Sequence, residues 1–303
     1  MKSTRKAYGE FLENIGSDTD VVVFDADLAE ATQTKMFKKL YPLRHIDVGI
    51  AEQDLIGMAS GMALTGKKVF ASSFAMFLCG RAYEQIRNTV CYSNININLC
   101  ATHSGLGVGE DGATHQMLED IALMNVLPNM KIFCPADDIS TKKVLEECLK
   151  INGPKYVRLG RQDMIDVYST KDIFKIGGSN TFGNGKDVTI FACGSTLSIA
   201  LDAKKELEKD NIYARVVDLY SIKPVDSKEI IRCAKETNKL ISIEDHSTIG
   251  GIGSIIEGVL CENYPKKLIK LGVKDSFGKS GRVEDLYKMF GITKDEIIRN
   301  IKK

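Results

Sequence analysis

The segment Val21-Val22-Val23-Phe24 is an unbroken apolar run too short for a helix. A strand made of such residues has to be covered on both faces. Similar runs return at Val69–Ala71, Ile95–Ala101 and Ile132–Cys134. Between them the spacing of apolar residues predicts helices over Arg5–Ile15, Glu52–Leu64, Leu78–Cys91, Gln116–Met124 and Ile139–Ile151. Strands and helices in strict turn imply an α/β fold with a mostly parallel sheet flanked by helices.

From about Asp163 to Lys186 this rhythm lapses into the polar, glycine-rich stretches Ile176-Gly177-Gly178-Ser179-Asn180 and Gly183-Asn184-Gly185. A second series then begins. Val188–Cys193, Ala214–Leu219 and Leu240–Ile243 read as strands, and Leu197–Leu207, Lys228–Ala234 and Gly250–Leu260 as helices. The chain therefore divides into residues 1–165, a connection over 166–186 and a smaller α/β domain over 187–303. With 303 residues, 44% of them apolar, each domain is expected to build its own core. No internal repeat or low-complexity tract is present.

A formal charge of +1, with acids and bases interspersed, offers no footprint for nucleic acid or for an anionic membrane. No run approaches the roughly 18 apolar residues of a membrane span, and a cytoplasmic protein is expected. The eight cysteines are scattered, without a C-x-x-C pair, and read as buried free thiols suited to a reducing compartment.

Three stretches bear on chemistry. Asp47-Val48-Gly49-Ile50-Ala51-Glu52-Gln53 is a glycine-containing turn that opens a helix with an acid in its first turn. Taken alone, Glu52 reads as a carboxylate complementing the helix dipole. Phe74 and Phe77, three apart at the end of a strand, share one side of a turn. Aromatics at that spacing are commonly core, but parallel sheets place ligands at the carboxyl ends of their strands. The segment Ala101–Gln116 sets His103, Glu110, Asp111 and His115 among glycines between an apolar strand and a helix. It matches neither the Walker nor the dinucleotide fingerprint, and two histidines 12 apart without a third ligand make a poor metal site. It reads as a polar active-site loop, and no metal ligands are assigned to this chain.

The strings G-I-A-E-Q, S-F-A-M-F and G-E-D-G-A-T-H-Q together resemble the pyrimidine-binding domain of transketolases. Further parts resemble the family in the same order: Thr4-Arg5-Lys6-Ala7, Asp25-Ala26-Asp27-Leu28, Pro128-Asn129-Met130, Pro135-Ala136-Asp137 and Arg158-Leu159-Gly160-Arg161-Gln162. The C-terminal domain contributes Ile243-Glu244-Asp245-His246 and Gly250-Gly251-Ile252-Gly253-Ser254. The likeness covers only the second half of a full-length transketolase. The other half would carry the diphosphate domain, whose G-D-G, followed after roughly 25 to 30 residues by Asn, supplies oxygen ligands for Mg²⁺. No such motif occurs here, and Met1 just before the T-R-K-A string is read as a natural gene boundary.

The resemblance implies the C-terminal subunit of a split, thiamine-diphosphate-dependent transketolase, which moves a two-carbon ketol unit between sugar phosphates of the pentose phosphate pathway. Glu52 would hydrogen-bond N1′ of the aminopyrimidine and favour its imino tautomer, with Phe77 and Phe74 stacking on the ring and Asp27 near the cofactor. His103 and His115 would relay protons, and Asp111 would read sugar hydroxyls. Arg5 and Arg161 would hold the substrate phosphate. Mg²⁺, or another divalent cation, would be ligated by a separate diphosphate-binding N-terminal subunit. An α₂β₂ assembly is expected, or a homodimer when this chain is alone.

Two departures stand out. Where the family has a phosphate-contacting serine this chain has Ala31, with Thr32 following as a candidate substitute. The third family aromatic is replaced near Gly80 and Arg81, with Tyr83 close by, and Arg81-Ala82-Tyr83-Glu84-Gln85 is similar to the deoxyxylulose-phosphate synthase pattern. Half of that synthase, the β subunit of a 2-oxoacid dehydrogenase and a non-catalytic scaffold are the alternatives. His246 is expected to be structural, at the domain junction.

Overall fold

A computed structural model describes all 303 residues. The first half forms a sheet of seven strands in the order Ser221–Lys223, Lys131–Phe133, Lys155–Arg158, Ile97–Thr102, Lys68–Phe74, Val21–Asp25 and His45–Asp47. All are parallel except Ser221–Lys223, which comes from the second half of the chain and pairs antiparallel with Lys131–Phe133. Every side chain of Val21–Asp25 is buried, as its apolar run requires. The second sheet follows the order Leu268–Val273, Lys239–Ser247, Val188–Ala192, Ala214–Asp218 and Asn180–Phe182. Its last strand is antiparallel and lies inside the glycine-rich stretch that reads as a connection.

Each half keeps apolar packing of its own, around Leu55, Leu78 and Leu99 in the first and around Phe191, Val217 and Ile230 in the second, but the largest core is shared. One buried cluster joins Phe11, Leu12 and Leu159 of the first half to Ile190, Leu197 and Ile243 of the second. The shared cluster adds to the core expected for each domain: burying a common apolar interface removes surface that two independent small domains would leave wet.

Local departures from periodicity have physical causes. The helix expected over Leu78–Cys91 starts at Ala75, breaks after Arg81, and winds as a π-helix over Ile86–Tyr92. The helix expected from Gln116 covers only Asp120–Asn125, because the Gln116 side chain is drawn to the carbonyls of Gly109 and Lys279. Seven cysteines are buried free thiols, whereas Cys261 is exposed, against the reading of all eight as buried. No helix is long and apolar enough to cross a membrane.

Candidate active site

Neighbouring parallel strands bring the candidate residues together. In register, Asp25 lies beside Asp47 and Ser72, Phe74 beside Thr102, and Ala101 beside Arg158. The residues that follow those carboxyl ends are Asp27, Glu52, Phe77, His103 and Arg161, so one edge of the sheet carries them all. Asp47 Oδ1 accepts from the backbone N–H groups of Asp27 and Gly49, at 2.9 and 3.1 Å, and so ties the first two of these loops together.

Glu52 opens the helix Glu52–Leu64 and is only 4% exposed. Arg81 reaches it from the break after Ala75–Arg81: its Nη1 donates to both carboxylate oxygens, at 3.0 and 3.1 Å. The same guanidinium lies over the Phe77 ring, its carbon 4.1 Å from the centroid. Glu52 and Phe77 therefore flank one flat, donor-bearing group. Phe74 stacks on Phe77 with centroids 5.5 Å apart and on His103 at 3.8 Å. Phe74 is buried by these neighbours, so of the two rings Phe77 is the one with accessible surface. His115 meets the Phe77 ring edge-on, 5.3 Å away.

His103 adopts a left-handed backbone, φ 57°, which directs its ring back over the strand ends. Its Nε2 lies 3.4 Å from Arg5 Nη1 and its Nδ1 2.9 Å from Thr102 Oγ1. A guanidinium has no acceptor, so Nε2 accepts from Arg5 and Nδ1 carries the proton donated to Thr102. Burial, then the charges of Arg5 and Arg161 and the ring of His115, push the His103 pKa down to about 3. The ring is neutral at physiological pH.

Arg5 also donates to the Ala31 carbonyl at 2.8 Å. Arg161 donates to the Val108 carbonyl at 2.7 Å and to Asp111 Oδ2 at 3.1 Å. Arg5 and Arg161 line one cleft of about 510 Å³ together with Gly107, Glu110 and Arg282. His103 adjoins this cleft through Arg5, and Asp111 through Arg161.

Other expectations fall differently. Asp27 is exposed with φ 60°, at the rim. Thr32 is buried and donates to Asp25 Oδ2 at 2.7 Å, so its hydroxyl is committed to the core and does not stand in for the missing serine. Asp25, held by Thr32, Thr34 and the Leu28 N–H, still has its pKa raised to about 6 because burial outweighs those donors. Tyr83 donates to the Leu123 carbonyl, while the Arg81 guanidinium covers the Phe77 ring. His246 is fully buried between Asp120 and Glu244, 3.8 and 3.9 Å away, where the two halves meet.

Family comparison decides what this arrangement belongs to. Residues 1–165 match the transketolase pyrimidine-binding domain and residues 177–297 the transketolase C-terminal domain. The chain belongs to the transketolase family. It is 44% identical to a putative transketolase C-terminal section of Methanocaldococcus jannaschii, over 99% of this chain and 95% of that one. It is 37% identical to the transketolase of Rattus norvegicus over 99% of this chain, but spans only 48% of that enzyme. Its fold superposes with a TM-score of 0.91 on a split-gene transketolase, an inactive beta4 tetramer, at 42% identity, over 99% of this chain and 97% of the other. Family membership implies use of thiamine diphosphate. The residues fit its pyrimidine end: a buried carboxylate and an accessible aromatic face already bracket a planar nitrogen-bearing group.

Sequence reasoning missed four contributors to this transketolase site. Arg81 was visible as a departure but gave no sign of its reach to Glu52. Asp245 and Tyr287 approach the glycine-rich loop from the second domain, and Arg282 lines the cleft. The E-D-H string marked Asp245 without saying what it touches.

Proposed function

We propose that this chain is the C-terminal subunit of a thiamine-diphosphate-dependent transketolase that transfers a two-carbon ketol unit between sugar phosphates, in the pentose phosphate pathway. The observation that carries the reading is the bracket formed by buried Glu52 and the Phe77 ring around one planar cation. When bound, thiamine diphosphate supplies the nucleophilic carbon that accepts the ketol unit. Glu52 holds a proton at N1′ of the pyrimidine, and Phe77 stacks against the ring. Arg81 swings out of that place, its exposed half giving it room.

Arg5 and Arg161 grip the phosphate of the sugar from the cleft they share. Neutral His103 has a free lone pair on Nε2 once Arg5 turns to the phosphate, and there it accepts a proton from a substrate hydroxyl. His115 serves the neighbouring hydroxyl, and Asp111 holds one further along the sugar.

No three His, Cys, Asp or Glu side chains converge as a metal site in this chain. A separate N-terminal subunit carries Mg²⁺ and the diphosphate, and two copies of each chain make an α₂β₂ enzyme with sites between subunits. Ile50, Met58 and Leu64, exposed beside and along the helix that begins at Glu52, are apolar positions for that partner to cover. Alone, the chain self-associates without activity, as the beta4 relative does. A cytoplasmic location suits its seven buried free thiols.

The test is ketol transfer from xylulose 5-phosphate to ribose 5-phosphate, with thiamine diphosphate and Mg²⁺, by each subunit alone and by the mixture. Activity in the mixture only is expected. An inactive mixture that nevertheless binds cofactor overturns the substrate assignment.

A further inference from the structure

The loop Thr102–Gln116, which carries His103, Asp111 and His115, is held from the second domain at two places. Successive backbone N–H groups of Leu106 and Gly107 donate to the two carboxylate oxygens of Asp245, at 2.8 and 3.3 Å. Asp245 is buried and also accepts from the Tyr287 hydroxyl at 2.9 Å. Tyr287 in turn accepts from the Gln162 amide, also at 2.9 Å, and Gln162 directly follows Arg161. Arg158 fixes the anchor from behind by donating to the Asp245 carbonyl at 2.9 Å.

Farther along the loop, the Gln116 amide donates to the Lys279 carbonyl at 2.9 Å, and Gly112 lies so close to Ser280 that a Cβ would collide with its hydroxyl. The loop itself depends on left-handed backbone at His103, Gly105, Gly109 and Gly112. Such a chain has many alternatives in solution, and a fixed set of donors and acceptors is what selects one. A Cβ at Gly105 would collide with the Asp245 carboxylate, so the backbone has closed tightly around that one group.

Resting on the transketolase reading above, we infer that Asp245 of the C-terminal domain is a positioning residue, which sets the conformation of the loop that presents His103, Asp111 and His115 to the sugar. It touches no reacting atom. It acts through Leu106 and Gly107 on one side, and through Tyr287 and Gln162 on the neighbours of Arg161. The cofactor pair Glu52 and Phe77 lies on other elements, the helices Glu52–Leu64 and Ala75–Arg81.

The experiment compares Asp245→Asn and Tyr287→Phe with the unaltered chain, each in complex with the N-terminal subunit. Asp245→Asn keeps the volume but puts an N–H₂ where an acceptor stood. Tyr287→Phe removes a single donor and leaves the loop contacts in place. Ketol-transfer kcat/KM is expected to fall about tenfold to a hundredfold for Asp245→Asn, mostly through KM for the sugar phosphate, and less for Tyr287→Phe. Thiamine diphosphate affinity, measured by titration calorimetry, is expected to stay unchanged. Hydrogen exchange at the Leu106 and Gly107 amides is expected to quicken in Asp245→Asn.

Unchanged kinetics and unchanged exchange in both variants overturn the inference. So does a parallel loss of melting temperature, cofactor affinity and activity, which marks a structural role only; Tyr287→Phe guards against misfolding of the first variant. If the unaltered complex shows no ketol transfer, the functional reading fails, while the exchange measurement still tests the anchor.

Discussion

Arg81 donates to both carboxylate oxygens of Glu52 while its guanidinium covers the Phe77 ring. The pair makes Glu52 the residue most exposed to test. Replacement by glutamine keeps the shape and removes the carboxylate that shares a proton with the pyrimidine. Ketol transfer by the complex is expected to drop on the order of a hundredfold to ten-thousandfold, the usual range for a lost acid–base group. Circular dichroism should show an intact fold. Full activity in Glu52→Gln removes this residue from the mechanism.

The same contact gives Arg81 a second consequence. Arg81 must leave before a pyrimidine can reach Glu52 and Phe77, so the free site is held closed by one half-exposed ion pair and one cation–π contact. Such contacts are weak, each up to about 1 kcal/mol. Arg81→Ala is therefore expected to tighten thiamine diphosphate binding to the complex about twofold to tenfold by calorimetry. Weaker binding shows instead that Arg81 supports the cofactor.

The parallel sheet was legible because Val21–Phe24 and its counterparts are apolar on both faces, which only a covered strand satisfies. The catalytic edge was legible because the motifs follow strand ends. The reach of Arg81 was not, since periodicity says nothing about where a long exposed side chain turns. Nor was the Asp245 anchor, whose bond to Leu106 joins residues 139 apart in sequence. Ser221–Lys223 escaped for a related reason: three residues carry no period, and their strand exists only because Lys131–Phe133 offers an edge.

Exposure separates Cys261 from the other seven thiols. Burial pushes Cys91 and Cys233 up to about 11 and Cys79, Cys100 and Cys148 higher still, and a hydrogen bond with Cys134, then burial, raises Cys193, so neither access nor thiolate favours reaction. An aromatic disulfide reagent is expected to modify Cys261 quickly in the native chain, and the remainder only after denaturant. Cys261→Ser should abolish the fast phase. A second fast thiol contradicts the burial of the other seven cysteines.

His103 links the site to pH. In the native chain its pKa is about 3, and in the unfolded chain about 6.5, so between these values the unfolded state binds more protons. Its contribution is complete above about pH 6.5 and is lost as pH falls toward 3. His45 and His246, pushed down by burial to about 4, act in the same direction. Asp25, Asp218 and Glu244, raised to about 6, 8 and 8, act oppositely, because their native forms keep protons that the unfolded chain has released. The effect of His103 is therefore read as a difference, from urea unfolding of the chain and of His103→Asn at pH 7 and pH 5. On acidification the unaltered chain is expected to lose about 1 to 2 kcal/mol more than the variant. A neutral ring also predicts that kcat/KM of the complex shows no inflection from His103 between pH 5 and 8. An inflection near 6.5 that vanishes in His103→Asn means that burial, with the charges of Arg5 and Arg161, does not hold this imidazole neutral, and the lone pair assigned to Nε2 is lost with that reading.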